Sequence, residues 1–453
     1  MAVSRRVAGG DGGCSEFFTA VAAQYGEVAR FKAGPQVNYL ISHPDPIARV
    51  YQQDTERYYK GEFYQLLQSA MGNGLLLSNG ELWQRQRQLM RGCFLKHHVA
   101  TWLDIVTATT ATMLKDWETR ARQGVALDVA TEMAHLIQRI MVKILFGRAL
   151  EHRISVQWTD AVTTIGGHLL QLILRKPVLG GVLNRLPLPS NRRYRDAVQV
   201  VNATLAQLIA EQKRHGDPDD DAIIGVLQRA RDDVTPGGMS DQQLRDELVT
   251  LFLAGHDTTA RALSWAFYFL SQHPEVAQQI HDEATQVLVD GTVTAADQVG
   301  RLHYTEQAVN EALRLLPPVY MVSRTPKEDD HFGPYRIAKE SLVVISPYVM
   351  HRHPAYWESP ERFDPTRFCP ARAQGRPHYT FFPFGGGKRI CLGTHLAMLE
   401  MTVIVAMVLN RFQLALVPGQ RVVVQPLLTL RPRHGVKIAL TPRSPARRPE
   451  AGW

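Results

Sequence analysis

Strand-like stretches in this chain are short and lie toward its two ends, and the long middle reads as helix. Residues 28–32 and 36–41 flank Ala33, Gly34 and Pro35, a pattern that predicts a strand, a turn and a second strand. From residue 44 to about residue 289 the pattern is mostly helical, with breaks at 217–221 and 236–238. Ser240 with Gln243 forms a capping-box pattern and predicts the longest helix over 240–271, ending before Pro274. At a rise of about 1.5 Å per residue it spans roughly 48 Å, enough to cross the molecule. A second helix, over 304–316, stops at Pro317 and Pro318, and 343–346, 422–424 and 436–440 read as strands. The fold class expected is mainly α with minor β. The strand–helix alternation of a dinucleotide fold is missing, and no repeat of 20 to 50 residues is evident.

Composition narrows the function. Hydrophobic residues make up 45% of the 453, enough for a large core. One domain is expected over residues 1–441, followed by a loose, basic, Pro- and Arg-rich tail over 442–453. The net charge of +8 would suit nucleic acid, but no nucleic-acid motif and no long basic block outside the tail accompanies it, so an acidic protein partner fits better. Cys14, Cys93, Cys369 and Cys391 are far apart with no CxxC spacing, which argues against a zinc site or disulfide framework and suits a reducing, cytoplasmic compartment. The first eighteen residues hold no apolar run of the length a signal peptide or membrane anchor requires. The apolar stretches 248–270 and 401–409 are interrupted by His256, Asp257 and Arg261 or are too short to span a bilayer.

The most informative segment is FFPFGGGKRICLG at 381–393, a glycine-dense loop that brings Cys391 to the start of a long apolar helix. Phe384 can pack beside the sulfur, the glycines 385–387 let backbone amides approach, and Arg389 can reach an anionic cofactor edge. A helix N-terminus favours an anion and is expected to depress the thiol pKa. The alternative is a buried structural cysteine in a tight turn. Phe384, Gly387, Arg389, Cys391 and Gly393 fill every position of a pattern that resembles the haem-binding loop of the cytochrome P450 monooxygenases. That resemblance implies haem b with Cys391 as the metal ligand, and Phe384, Gly385, Arg389 and Gly393 around it. It also implies the family's fold, a long central helix over a haem with small sheets.

Three further motifs extend the resemblance over nearly the whole chain. AGHDTT at 254–259 sets a histidine, an acid and two hydroxyls in an otherwise apolar helix. Read structurally, the threonines back-bond to carbonyls four residues earlier and Asp257 sits in a buried ion pair. In the family this motif crosses the distal haem face, where the small Ala254 and Gly255 leave room for dioxygen. Asp257 and Thr258 are then catalytic, relaying protons to the reacting oxygen. Glu311 and Arg314 share a helix face at i and i+3 and alone signal little. With SPERFDPTRF at 359–368, the resemblance makes Glu311, Arg314 and Arg362 a buried structural triad beneath the haem loop. Trp83 and Arg87, at i and i+4, and Arg324, after the double proline, match haem-propionate donors; with Arg389 they give three guanidiniums for two carboxylates.

The remaining histidines read as packing or solvated groups: His97 and His98 on a basic helix end, His351 and His353 in a turn before Pro354, and His395 packed in the helix after Cys391. His256 has no assigned role. By resemblance the chain looks like the soluble bacterial members, since it lacks the N-terminal anchor of many eukaryotic ones. It would insert one oxygen atom from O2 into a lipophilic small molecule, a terpenoid, fatty acyl chain or polyketide. The pocket segments implied are 58–77, 165–188, 252–258, 319–323 and 427–430. With no flavin or iron–sulfur module after the haem loop, electrons are expected from a separate ferredoxin or flavodoxin-type donor and its reductase. That donor is expected to dock on Arg85, Lys96 and Lys388. The rivals are a peroxide-using or rearranging haem-thiolate enzyme and a non-catalytic haem sensor; Asp257 and Thr258 argue against both.

Overall fold

The structure is a computed structural model that describes residues 13–33, 36–53, 55–150, 158, 160–162, 164–168, 188–215, 221–230 and 238–443. Residues 444–453 of the expected tail, 169–187 of one expected pocket segment, and most of the two expected helix breaks lie outside the described residues.

The predicted N-terminal hairpin is present. β1 (Val28–Ala33) pairs antiparallel with β2 (Gln36–Ile41), Val28 opposite Ile41. Three more strands complete this sheet: β3 (Tyr58–Tyr59), β4 (Val322–Pro326) and β5 (Leu342–Ile345), in the order β1-β2-β5-β4-β3. β2 and β5 run parallel, so the chain ends that bracket the helical middle meet in one sheet. β4 was not evident in the sequence, because VSRTP has neither alternation nor an apolar run. A three-stranded sheet of Leu127–Asp128, Phe412–Leu416 and Lys437–Pro442 and two hairpins make up the remaining described strands.

Helices fill the rest: α1 (Pro44–Gln52), α2 (Gly80–Arg91), α3 (Val129–Leu150), α4 (Asp241–Leu270), α5 (His303–Leu315) and α6 (Thr394–Arg411) position the site. α4 is the long helix predicted. The Ser240 hydroxyl caps it by accepting from the Gln243 amide at 3.2 Å, while the Gln243 side chain accepts from Arg85 in place of closing the capping box. α5 ends one residue before the 304–316 expectation, ahead of Pro317 and Pro318.

α6 is apolar on nearly every face, and its residues 403–409 are fully buried. Among the described residues it is the one helix long and apolar enough to cross a membrane, yet it is packed among α4, Leu103–Arg122 and Pro274–Val287. Its composition is that of a core helix, enclosed over residues 401–409. α3 packs closely on α4 at Gly255, where an added Cβ would lie 2.8 Å from Met141 Cε. The space left by Gly255 therefore serves helix packing, and Ala254 is the small residue of the pair that stays exposed.

Candidate active site

The cysteine loop is built by its contacts with distant segments. Phe382 donates its amide to His351 Nε2 at 2.9 Å, Gly385 N bonds Phe382 O, and Cys391 N closes the loop onto Phe384 O at 2.9 Å. Gly387 has φ +63°, and a Cβ there would lie 2.0 Å from the Tyr51 carbonyl at the end of α1. Glycine is required at that position by the close approach of α1. His351 is not a solvated turn residue as expected. It is fully buried, and its imidazole, which must be neutral to accept from Phe382, has its pKa pushed down to about 3 by burial and by Arg314 and Arg352.

Cys391 sits three residues before α6, and the Thr394 hydroxyl donates to its carbonyl at 2.9 Å. The thiol pKa is raised, against the expectation of a depressed one. Desolvation outweighs the Gly393 amide, the Thr394 hydroxyl and the Arg87 charge that favour the thiolate. His395, the neighbour expected to pack, is exposed.

Around the cysteine the structure gathers a cationic and aromatic set. The Arg389 and Arg87 guanidiniums lie 4.2 and 5.8 Å from the ring of the buried Trp83. Arg87 donates to Ile390 O at 3.0 Å, and Arg389 to Ser78 O and Asn79 Oδ1 at 3.1 and 3.3 Å. Arg324, expected to join this set, lies on β4, 5% exposed, and its Nη1 donates to Ser323 O.

On α4 the motif 254–259 interrupts a buried helix. Phe252 and Thr259 are buried, whereas Ala254 is exposed and Asp257 and Thr258 are half-buried. The Thr258 hydroxyl donates to Ala254 O at 2.6 Å. Asp257 accepts from Arg261 Nε at 3.1 Å, with Arg261 Nη2 paired to it at 2.9 Å, and from Thr429 Oγ1 at 2.7 Å. The structural alternatives for this motif hold only in part: Thr258 back-bonds, and the Asp257–Arg261 ion pair is half-buried where a buried one was expected. Thr259 does not back-bond; its hydroxyl meets Glu400 of α6, tying α4 to the helix that follows Cys391. Glu400 is buried with one unpaired oxygen, and burial raises its pKa to about 8. His256 stacks on Phe252, centroids 5.5 Å apart, and burial lowers its pKa.

Glu311 and Arg314 form the expected buried pair, both side chains fully enclosed, with Nε–Oε2 2.7 Å and Nη2–Oε1 2.8 Å. The third member differs from expectation. Arg362 is exposed and offers its carbonyl to Arg314, while the buried Arg367 brings Nε to 3.3 Å from Glu311 Oε1. Arg367 sits in a short 3₁₀ turn, Pro365–Phe368, packed on α5, which points it inward. PERF and PTRF each offer an Arg-Phe, and spacing alone does not choose between them.

Sequence reasoning also missed the anchors of the 72–78 loop, within the expected pocket. Asp246 and Glu247 of α4 accept from Asn73 N and Leu75 N at 2.8 and 2.9 Å, Gln86 donates to Asn73 O, and the buried Lys60 donates to Leu75 O and Leu76 O. Burial raises the Glu247 pKa to about 7. Acids just before the 254–259 motif carried no separate signal, since the groups they cap are some 170 residues away.

The donor set fits a flat, apolar, dianionic disc held through iron: a thiol on a solvent-accessible residue that the surrounding protein nevertheless desolvates, guanidiniums over an indole, and an apolar helix face with one exposed small residue. Comparison with known proteins agrees. The family profile described as Cytochrome P450 matches residues 6–439, and the chain belongs to that family of haem b-dependent, haem-thiolate monooxygenases. It is 33% identical to cyclooctatin synthase of Streptomyces melanosporofaciens over 91% of this chain and 88% of that one. It is 28% identical to pentalenene oxygenase of Streptomyces avermitilis over 94% and 93%. The crystal structure of the cytochrome P450DA heme domain superposes with a TM-score of 0.87 over 96% of this chain and 94% of that one, at 22% identity.

Proposed function

We propose that the protein inserts one oxygen atom from O2 into a lipophilic small molecule, by hydroxylation or epoxidation, in the cytoplasm. Cys391 would hold the haem iron through its sulfur, Trp83, Arg87, Arg324 and Arg389 would donate to the propionates, and Phe384, Gly385 and Gly393 would shape the loop. The observation that carries this reading is the coexistence of Cys391, in the loop before α6, with Asp257 and Thr258 beside the exposed Ala254 on α4, the two helices being joined through Thr259 and Glu400. Haem, when bound, supplies the redox chemistry that activates O2, and thiolate ligation favours O–O cleavage. The chain's own part is to exclude bulk water, hold substrate on the 252–258 side, and carry protons. Asp257 exchanges protons with solvent through its half-buried carboxylate, and the Thr258 hydroxyl is one residue further along the same turn. Two relatives are named for pentalenene and cyclooctat-9-en-7-ol, by their names an alkene and an alkenol. They favour an unsaturated lipophilic compound among the terpenoid, fatty acyl and polyketide candidates.

Thr258→Ala is expected to keep haem and substrate binding but to lower product formed per reductant consumed severalfold, with the balance appearing as hydrogen peroxide. An unchanged ratio would assign proton transfer to another group. Turnover sustained by peroxide alone, with no reductant, would favour the peroxide-using alternative.

Two electrons per cycle come from a separate ferredoxin or flavodoxin-type protein, docked on the side of the thiolate. Arg85 leaves the docking set, because its guanidinium donates to Gly238 O and Gln243 Oε1 beside the start of α4. Lys96, on a short helix packed against α6, and Lys388, three residues before Cys391, remain exposed, with the exposed apolar Leu95 and Ile390 near them in sequence. Lys388 pairs with the exposed Glu56 at 2.6 Å, an ion pair weak enough for a partner's carboxylates to replace. Lys96→Glu with Lys388→Glu is expected to slow the first electron transfer from an acidic ferredoxin about tenfold at low salt and less at high salt. Arg85→Glu is expected to have little effect; equal slowing by Arg85→Glu would move the docking face.

A further inference from the structure

The distal acid is held from two directions. Arg261, one turn further along α4, occupies Asp257 Oδ1, and Thr429 Oγ1 occupies Oδ2 at 2.7 Å. Thr429 lies in the turn between β6 (Val424–Pro426) and β7 (Leu430–Pro432), a hairpin far from α4 in sequence. That turn is fixed on its other sides. Tyr320 Oη donates to Leu427 O at 3.1 Å, Leu430 N donates to Pro318 O at 2.9 Å, and Trp265 Nε1 donates to Leu430 O at 3.0 Å. Thr429 is buried while the adjacent Leu428 remains 44% exposed. The turn therefore presents an apolar tip outward and a hydroxyl inward, and that hydroxyl goes to the distal carboxylate. A further cation, Arg431 on β7, interacts with both Asp257 and Arg261.

We propose that Thr429 is a positioning residue for the distal acid: its hydroxyl, on the turn that exposes Leu428, holds the Asp257 carboxylate against Arg261 and fixes where it points. This rests on the proposed role of Asp257. With both oxygens engaged, the carboxylate's orientation is set by the hairpin as well as by its own helix. Threonine suits the task, since its β-branch restricts the rotamer that aims Oγ1. A valine there keeps the shape and removes the donor, leaving Oδ2 without its buried partner.

The test uses the haem-loaded protein and needs no substrate. The C–O stretch of the reduced carbon monoxide complex, read by infrared absorption, senses the charge and orientation of nearby distal groups. Thr429→Val is expected to shift that band, and Thr429→Ser, which keeps the hydroxyl, to restore it. In the Asp257→Asn background Thr429→Val is expected to leave the band where Asp257→Asn alone puts it. Urea unfolding supplies the second readout: Thr429→Val should raise the unfolding constant roughly five- to tenfold with Asp257 present, and clearly less in the Asp257→Asn background, where the charge is gone. A silent Thr429→Val band, or a Thr429→Ser band displaced as far as that of Thr429→Val, overturns the inference. If Asp257→Asn shifts the band and Thr429→Val does not, only the role of Thr429 fails. If Asp257→Asn itself leaves the band in place, Asp257 does not act on the distal side, and the proton-relay reading fails with it.

Discussion

Cys391→Ser is expected to abolish the red-shifted Soret band of the reduced, carbon monoxide-bound protein, and all monooxygenation with it. Burial raises the thiol pKa, and the Gly393 amide, the Thr394 hydroxyl and the Arg87 charge offset that only in part. Metal ligation would favour the thiolate, which a thiol permits and an alcohol, far less acidic, resists at neutral pH. Cys93, 2% exposed in the core with its pKa pushed up to about 11 by burial, is poorly placed to substitute, and Cys369 stands at the start of a different short helix, Pro370–Ala373. Serine is close to cysteine in size, so the loop bonds from Cys391 N to Phe384 O and from Thr394 to the 391 carbonyl should survive. The variant should therefore fold and retain haem through its arginines while losing the thiolate signature. Persistence of the red-shifted band in that variant would show that another residue holds the iron.

The parts of the site that were legible in the sequence are those whose chemistry is local. The loop 381–393 carries its glycines, arginine and cysteine within thirteen residues, and 254–259 sits inside one helix whose start was marked by Ser240. What stayed hidden depends on partners brought by tertiary packing. Gly387 is required by a carbonyl of α1, His351 is buried because the 381–393 loop lies on it, and Arg85 turns to α4 because Gly238 and Gln243 stand there. The Arg362 assignment failed for the same reason. Two arginines five residues apart precede phenylalanines, and only the fold of 359–368 on α5 sends one inward and the other to solvent. Thr429 had no signal of its own, since a lone threonine in an apolar turn gains meaning only from Asp257.

Arg314→Ala is expected to cost about 3–5 kcal/mol, a large share of the roughly 5–15 kcal/mol that holds a typical domain folded. Arg314 is fully buried and donates to five acceptors: both oxygens of Glu311 and the carbonyls of His351, Pro360 and Arg362 at 2.8, 2.7 and 3.1 Å. Its removal leaves the Glu311 carboxylate inside the protein with the Asp364 amide at 2.9 Å and with Arg367, whose Nε stands 3.3 Å away but out of hydrogen-bond alignment. It also strips the donor from His351, the residue whose imidazole pins the Phe382 amide of the cysteine loop. Destabilisation should therefore reach the haem site, and Arg314→Ala should express with little bound haem. Arg367→Ala should cost less, because Arg314 still neutralises Glu311. Arg362→Ala should stay within about 0.5 kcal/mol of the parent, since its exposed side chain contributes none of these bonds and its carbonyl is retained. Urea unfolding and haem content of the three variants check the order. Equal loss in Arg362→Ala and Arg314→Ala would return Arg362 to the triad and remove Arg367 from it.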